Sequence, residues 1–273
     1  PFGLSQIYGR PTKSETMDTG ATNDDGHHAQ VITCTAFQNA DIAGRIGLEN
    51  IGNTCFMNTG LQCLSHLEPL TAYFLSGLYK REINRTSSWG CRGELAEAFA
   101  ELQQQLWCSE STVYDPRNLH RKLSGFAPHL FEGFQQQDVQ EFLAFCLDGL
   151  HEDLNRVLEP PPPTTQEERE EDMLNADEQS EEVAAAWAWL QHLERGKSFL
   201  VDLMQGQLRS SLTCSCCGYR SRQFDPFLYL SLPVANDMAT VTDSLEKYLE
   251  HENLTGDEQW FCKKCNKKVD ATK

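Results

Sequence analysis

Two arrangements of cysteine in this chain have spacings that chemistry can use. The run Gly52-Asn53-Thr54-Cys55 ends a loop where a helical pattern begins. Asn53 or Thr54 is suited to cap that helix, because a short polar side chain accepts from the orphan N–H groups of a first turn. Cys55 then falls in that turn, where unpaired N–H groups and the helix dipole stabilise a thiolate, the reactive form of cysteine. The same N–H groups can hold an oxyanion formed beside it, and Gly52 lets a substrate backbone come close. A lone cysteine is equally a common packed core residue, and the local pattern leaves both readings open. A thiol nucleophile needs a base, and spacing marks no histidine for that role. His151 and His192 are expected on charged helix surfaces. His66 shares the helical run of Cys63 and reads as structural, and His27 and His28 lie in a polar start.

The second arrangement is a pair of CxxC knuckles, Cys214/Cys217 and Cys262/Cys265, with 44 residues between them. Each knuckle brings two thiolates to one ion, and two knuckles make a closed tetrahedral set, the donor set of structural zinc with no position left for water. The competing reading is four reduced thiols in two turns. Cys216 is a spare thiol beside the first knuckle and leaves its register open.

The elements that must position these residues follow from periodicity. From Asn53 onward Cys55, Phe56, Leu61, Leu64 and Leu67 share one helical face. Leu95, Phe99, Leu102 and Leu106 predict an amphipathic helix over 93–107. Asp115-Pro116 reads as a helix start with Pro at the first helical position. Val139, Phe142, Leu143, Cys146, Leu150 and Leu154 predict another helix over 138–154. Pro160 to Pro163 end it. A Glu-rich stretch follows, read as a disordered insertion over 159–182. Helix resumes over 183–195. Residues 207–212 and 224–232 alternate like strands around the first knuckle, and 242–251 reads as a short helix. Residues 1–44 lack apolar periodicity and are expected to be a flexible segment.

The 273 residues suit one large domain or two small ones, and 40% hydrophobic content supports a real core. The first residue is Pro1, which leads us to expect a longer parent protein. No apolar run approaches the length that spans a membrane. A net charge of −17 argues against nucleic-acid binding through a basic surface. Nine acids and one Arg between Glu167 and Glu182 account for nearly half of that charge and read as a solvated linker. Eleven cysteines, an odd number scattered outside the knuckles, point to a reducing compartment, cytoplasmic or nuclear.

Several motifs in order resemble one family. Gly47-Leu48-Glu49-Asn50-Ile51-Gly52-Asn53-Thr54-Cys55-Phe56-Met57-Asn58, followed by Leu61-Gln62-Cys63-Leu64, looks like the Cys box of the ubiquitin-specific proteases. Gln136-Gln137-Asp138-Val139-Gln140-Glu141-Phe142-Leu143 is similar to their second hallmark. Gly206-Gln207-Leu208, Cys214, Phe224-Asp225-Pro226-Phe227 and Leu230-Ser231-Leu232-Pro233 resemble their passage through a zinc ribbon. The resemblance covers roughly residues 46–273. It implies an α+β, papain-like fold, with a helical thumb over 46–158 and β fingers carrying a zinc ribbon over 199–273. It also implies Cys55 as nucleophile, Asn50 as side-chain donor to the oxyanion, and Gln136 and Asp138 as contacts to the tail of ubiquitin. Asp138 also reads as a helix cap.

The family's histidine motif and its orienting acid or amide do not occur in this sequence, so the palm is expected to be incomplete and this chain inactive alone. The expected activity of the parent is hydrolysis at the C-terminal glycine of ubiquitin, with ubiquitin and ubiquitinated proteins as partners. The rival expectation is a catalytically dead, zinc-stabilised ubiquitin-binding scaffold.

Overall fold

A computed structural model describes residues 43–131, 135–162, 165, 177, 179–235 and 238–273. All but the end of the segment expected to be flexible, and most of the acidic insertion, lie outside these residues.

The first half of the described chain is helical. α1 (Cys55–Ser65), α2 (Glu68–Leu75), α3 (Glu94–Cys108), α4 (Arg117–Phe126), α5 (Pro128–Phe131) and α6 (Val139–Asp153) follow one another. The periodic residues of α3 are its buried ones: Leu95, Phe99 and Leu102 are fully enclosed, with Leu106 beside them. On α6, Phe142, Cys146 and Leu150 are likewise enclosed, and Leu154 just beyond its end. Val139, expected on that face, is exposed. On α1, Phe56, Leu61 and Leu64 point inward. Cys55 and Leu67, expected on the same face, are exposed. α4 starts one residue later than expected: Pro116 takes the cap position, and Asp115 Oδ1 accepts from Arg117 N at 3.0 Å.

Gly60 sets how closely α1 and α6 approach. A Cβ built there would lie 2.9 Å from two ring carbons of Phe142 and 3.3 Å from Leu143. Phe142 has no exposed surface and cannot swing away. Gly60→Ala is therefore expected to destabilise the chain by about 1–3 kcal/mol, the usual cost of overpacking. Urea unfolding of the variant measures it, and an unchanged midpoint would mean that the helices separate freely.

α7 (Glu181–Arg195) begins two residues before the expected start, where Ser180 accepts from Val183 N at 3.4 Å. α8 (Phe199–Met204) follows and is capped by Ser198. Tyr73 of α2 stacks on Phe199 with ring centroids 4.1 Å apart. Arg156 holds Glu82 at 3.0 Å and Asp202 of α8 at 2.9 Å. His151 and His192, expected on the surface, are half-buried. His151 Nδ1 lies 2.8 Å from Ser198 Oγ, and His192 Nε2 lies 2.6 Å from Gln205 Oε1. Burial pushes the His151 imidazole below its usual range, so at neutral pH it acts as an uncharged packing group.

The second half is β. β3 (Gly206–Cys214) and β4 (Arg220–Phe227) form an antiparallel hairpin in register from Gly206↔Phe227 to Thr213↔Arg220. The strand expected to run on to residue 232 stops at Phe227, because its partner β3 begins at Gly206. After α9 (Val241–Tyr248), four short strands complete the fingers: β5 (Asn253–Leu254), β6 (Trp260–Cys262), β7 (Lys267–Val269) and β8 (Ala271–Thr272). One sheet runs β4-β3-β8-β5, and β6 pairs with β7 on its own. Near the start of the described chain, β1 (Gly47–Leu48) runs parallel to β2 (Val113–Tyr114). Among the described residues no helix is long and apolar enough to cross a membrane.

Candidate active site and metal centre

Cys55 is the first residue of α1, exposed and unpaired to any other cysteine. The helix ladder begins with Asn58 N donating to Thr54 O at 2.9 Å. The amides ahead of Asn58 in that turn are therefore outside the ladder and point past the helix start. The loop leading in is tightly wound, with Gly52 at φ 123° and Asn53 at φ 49°. Thr54 occupies the cap position without making a side-chain cap bond.

The loop closes instead around Asn50. Its Oδ1 accepts from Gly52 N, Thr54 N and Thr54 Oγ1, each at 3.2 Å. Backbone N–H groups only donate, so the carbonyl of the Asn50 amide faces into the loop and its NH2 faces out on the exposed side. A second pair of amides, one helical turn apart on α1, ties this helix to β1. Asn58 Nδ2 donates to Glu49 O at 3.0 Å, and Gln62 Nε2 donates to Ile46 O at 3.0 Å. The nucleophile loop is thus held at both ends. The spacing of Asn58 and Gln62, four residues apart on a helix, is the signal in the sequence that marks this pair.

Asp138 precedes α6 and caps it: its Oδ1 accepts from Gln140 N at 2.6 Å and Glu141 N at 3.3 Å. Gln136 and Asp138 are both exposed. Phe56, next to Cys55, meets Phe142 of α6 edge-on at 5.9 Å, and both rings contact Phe131. These contacts join the turn that carries Cys55 to the turn that follows Asp138.

In the fingers, the Sγ atoms of Cys214, Cys217, Cys262 and Cys265 all lie within 4.8 Å of one another. Cys214 and Cys265 are 3.8 Å apart, and Cys217 and Cys262 are 3.7 Å apart. Four thiolates at the zinc–sulfur bond length around one ion stand ~3.8 Å from each other, so these residues fit zinc. The two knuckles match in detail. Cys217 N points at Cys214 Sγ at 3.4 Å and Cys265 N at Cys262 Sγ at 3.4 Å. The residue after each second cysteine is left-handed, Gly218 at φ 68° and Asn266 at φ 51°. Burial works against ionisation of Cys214, but the N–H groups of Cys217 and Cys216 outweigh it and bring the thiol down to about 6. Cys216 is exposed and outside the cluster, which settles the register of the first knuckle.

The model of the ubiquitin carboxyl-terminal hydrolase family matches residues 46–265, a span that takes in both the Cys55 loop and the four-thiol cluster. The chain belongs to the ubiquitin carboxyl-terminal hydrolase family. Ubiquitin carboxyl-terminal hydrolase 32 of Homo sapiens is 47% identical over 194 residues, 71% of this chain and 12% of that protein. Ubiquitin carboxyl-terminal hydrolase 15 of Homo sapiens is 44% identical over 209 residues, 73% of this chain and 20% of that protein. The chain therefore spans about an eighth to a fifth of the length of these curated relatives. Among solved structures, the SAGA DUB module Ubp8/Sgf11/Sus1/Sgf73 bound to monoubiquitin matches with a TM-score of 0.59 and 23% identity. That match covers 85% of this chain and 44% of that one. The same module bound to ubiquitin aldehyde gives a TM-score of 0.56. At that identity the likeness establishes a shared mixed helix-and-sheet fold. Within this hydrolase fold, helices frame the Cys55 loop and the cysteine cluster sits where a zinc ribbon closes the fingers.

Proposed function

We propose that this chain carries the nucleophile of a deubiquitinase that cleaves the isopeptide or peptide bond at the C-terminal glycine of ubiquitin. The observation that carries the reading is the pairing of an exposed thiol at the start of α1 with an Asn50 amide whose carbonyl is held inside the loop leading to it, which leaves the NH2 free of that loop. A base removes the Cys55 proton, and the thiolate attacks the glycine carbonyl carbon. The oxyanion so formed takes hydrogen bonds from Asn50 Nδ2 and the first-turn N–H groups. The carbon–nitrogen bond breaks as the base returns its proton to the leaving amine. Water, deprotonated by the same base, then attacks the thioester. The C-terminal carboxylate leaves, and the thiol is regenerated.

In this reading the base is a histidine outside this sequence. The basis for that assignment is that the histidine motif expected from the family resemblance does not occur in the sequence. Asp138 spends one oxygen on its helix cap. The other, with Gln136, meets the basic tail of ubiquitin, where a charge-assisted bond is strong. Zinc in the four-thiol cluster is structural. The solved SAGA modules bound to monoubiquitin support ubiquitin as the partner, with ubiquitinated proteins as substrates. The odd number and scattered placing of the cysteines in the sequence are the basis for assigning a reducing compartment, the cytoplasm or nucleus.

A ubiquitin probe with a C-terminal electrophile tests this in the full-length protein. Covalent labelling that disappears in Cys55→Ala is the expected result. Reversible binding of ubiquitin with no labelling at any cysteine would replace the hydrolase by a binding scaffold.

A further inference from the structure

Thr54 has an unusual assignment for a helix cap residue. It is almost wholly buried, its hydroxyl makes no cap bond, and it sits between the proposed oxyanion donor and the nucleophile in the chain. The hydroxyl does two other things. It accepts from Ile51 N at 3.3 Å, and it donates to Asn50 Oδ1 at 3.2 Å. With the backbone N–H groups of Gly52 and Thr54, it makes three donors that converge on one carbonyl oxygen. An amide flipped by 180° would turn its NH2 toward those donors, so the three together admit one orientation.

We propose that Thr54 is a positioning residue: its hydroxyl fixes the rotation of the Asn50 side chain so that Nδ2 is presented beside Cys55. The inference rests on the hydrolase reading above and deepens it. The backbone donors of Gly52 and Thr54 belong to the loop and survive any substitution except proline. The hydroxyl is the one side-chain contribution, and Ile51 N orients it in turn. A donor aimed in advance at the place where charge develops accelerates reaction because nothing reorganises during the chemical step. An Asn50 amide free to rotate would present its oxygen to the oxyanion part of the time and repel it.

The test is a double-mutant cycle on ubiquitin hydrolysis by the full-length protein, read together with the mobility of the Asn50 side-chain amide by heteronuclear NMR. Asn50→Ala is expected to lower kcat by about 10²–10³, the range for loss of one oxyanion donor. Thr54→Val keeps the shape of the side chain and removes the hydroxyl. It is expected to lower kcat about tenfold, the scale of one net hydrogen bond, with KM unchanged. In the Asn50→Ala background, Thr54→Val adds no further loss. Thr54→Ser restores both rate and amide order, whereas Thr54→Val leaves the amide mobile. An equal loss from Thr54→Val with and without Asn50 would overturn the proposal, as would a rigid Asn50 amide in Thr54→Val. Absence of hydrolysis in the unaltered protein would remove the hydrolase reading. The amide measurement would then still decide whether Thr54 orients Asn50.

Discussion

Metal removal is expected to unfold the fingertip and leave the thumb helices intact. The fingertip's own core is small: Val269, Tyr219 and Trp260 pack around Cys214, Cys262 and Cys265. Burying such side chains contributes ~1.5–3 kcal/mol each. Ordering the backbone from Asn253 to Thr272 costs ~1–2 kcal/mol per residue. The short strands β5, β6, β7 and β8 return little of that, and the balance is unfavourable without a further contribution. Zinc held by four thiolates contributes ~10–16 kcal/mol in small domains, enough to reverse the sign.

A strong chelator, or Cys262→Ser, is therefore expected to red-shift Trp260 emission and to open the amides of β6, β7 and β8 to hydrogen exchange. The amides of α3 and α6 stay protected. Cys216→Ser, which changes an exposed thiol outside the cluster, leaves all of these unchanged. Retention of the Trp260 environment in metal-free protein would show that the strands hold the fingertip without an ion. A metal bound at this site is expected to be released as pH falls, since each ligand must be deprotonated to bind.

Asp153→Ala is expected to be the most damaging single change in the thumb. Asp153 ends α6 and has no exposed surface. Its Oδ1 accepts from Cys91 N at 2.7 Å, and its Oδ2 from Leu95 N at 2.9 Å and Ala96 N at 3.1 Å. The cap position of α3 is Gly93, which has no side chain to offer. The N-terminus of α3 is thus capped by a residue from another helix. Truncation to alanine leaves two buried donors, Leu95 N and Ala96 N, and the half-buried Cys91 N without partners, at ~1–3 kcal/mol for each buried group before relaxation, and a total near 3–5 kcal/mol is expected. Burial raises the Asp153 carboxyl above its usual range, opposed by the N–H groups of Gly93, Ala96, Cys91 and Leu95. The uncharged Asp153→Asn should therefore lose less than alanine does. Urea midpoints of the two variants measure the difference, and an alanine loss below 1 kcal/mol would show that water replaces the carboxylate.

The residues legible from sequence were those whose partners are near in the chain. The apolar spacing of Leu95, Phe99, Leu102 and Leu106 needs only the helical repeat, and those residues form the buried face of α3. Cys55 at the start of a helix and each CxxC turn are local patterns as well. What escaped depends on contacts between distant segments. Asp153 reads as one more acid near a helix end until α3 is placed against it. His151 and His192 carry charged neighbours in sequence, yet α8 and the residues flanking it cover them. Thr54, like Asn53, reads in the sequence as a cap candidate, because that is what short polar residues do before a helical run. Its diversion to Asn50 needs the positive φ values at Gly52 and Asn53, which composition does not encode. The excess length of the expected second strand had the same origin: alternation persists past Phe227, but its partner does not.

The four-thiol cluster joins halves that are far apart in time as well as in sequence. Its cross-knuckle pairs are 45 and 51 positions apart. At the pace of ribosomal synthesis, ~5–20 residues each second, Cys214 and Cys217 wait ~2–10 s for their partners. During that interval the first knuckle presents two thiols, with Cys216 between them as a third. Maturation of the fingers is therefore a race between completing the cluster and reaction of an exposed half-site, and β8, which emerges after both knuckles, ends it by pairing with β3.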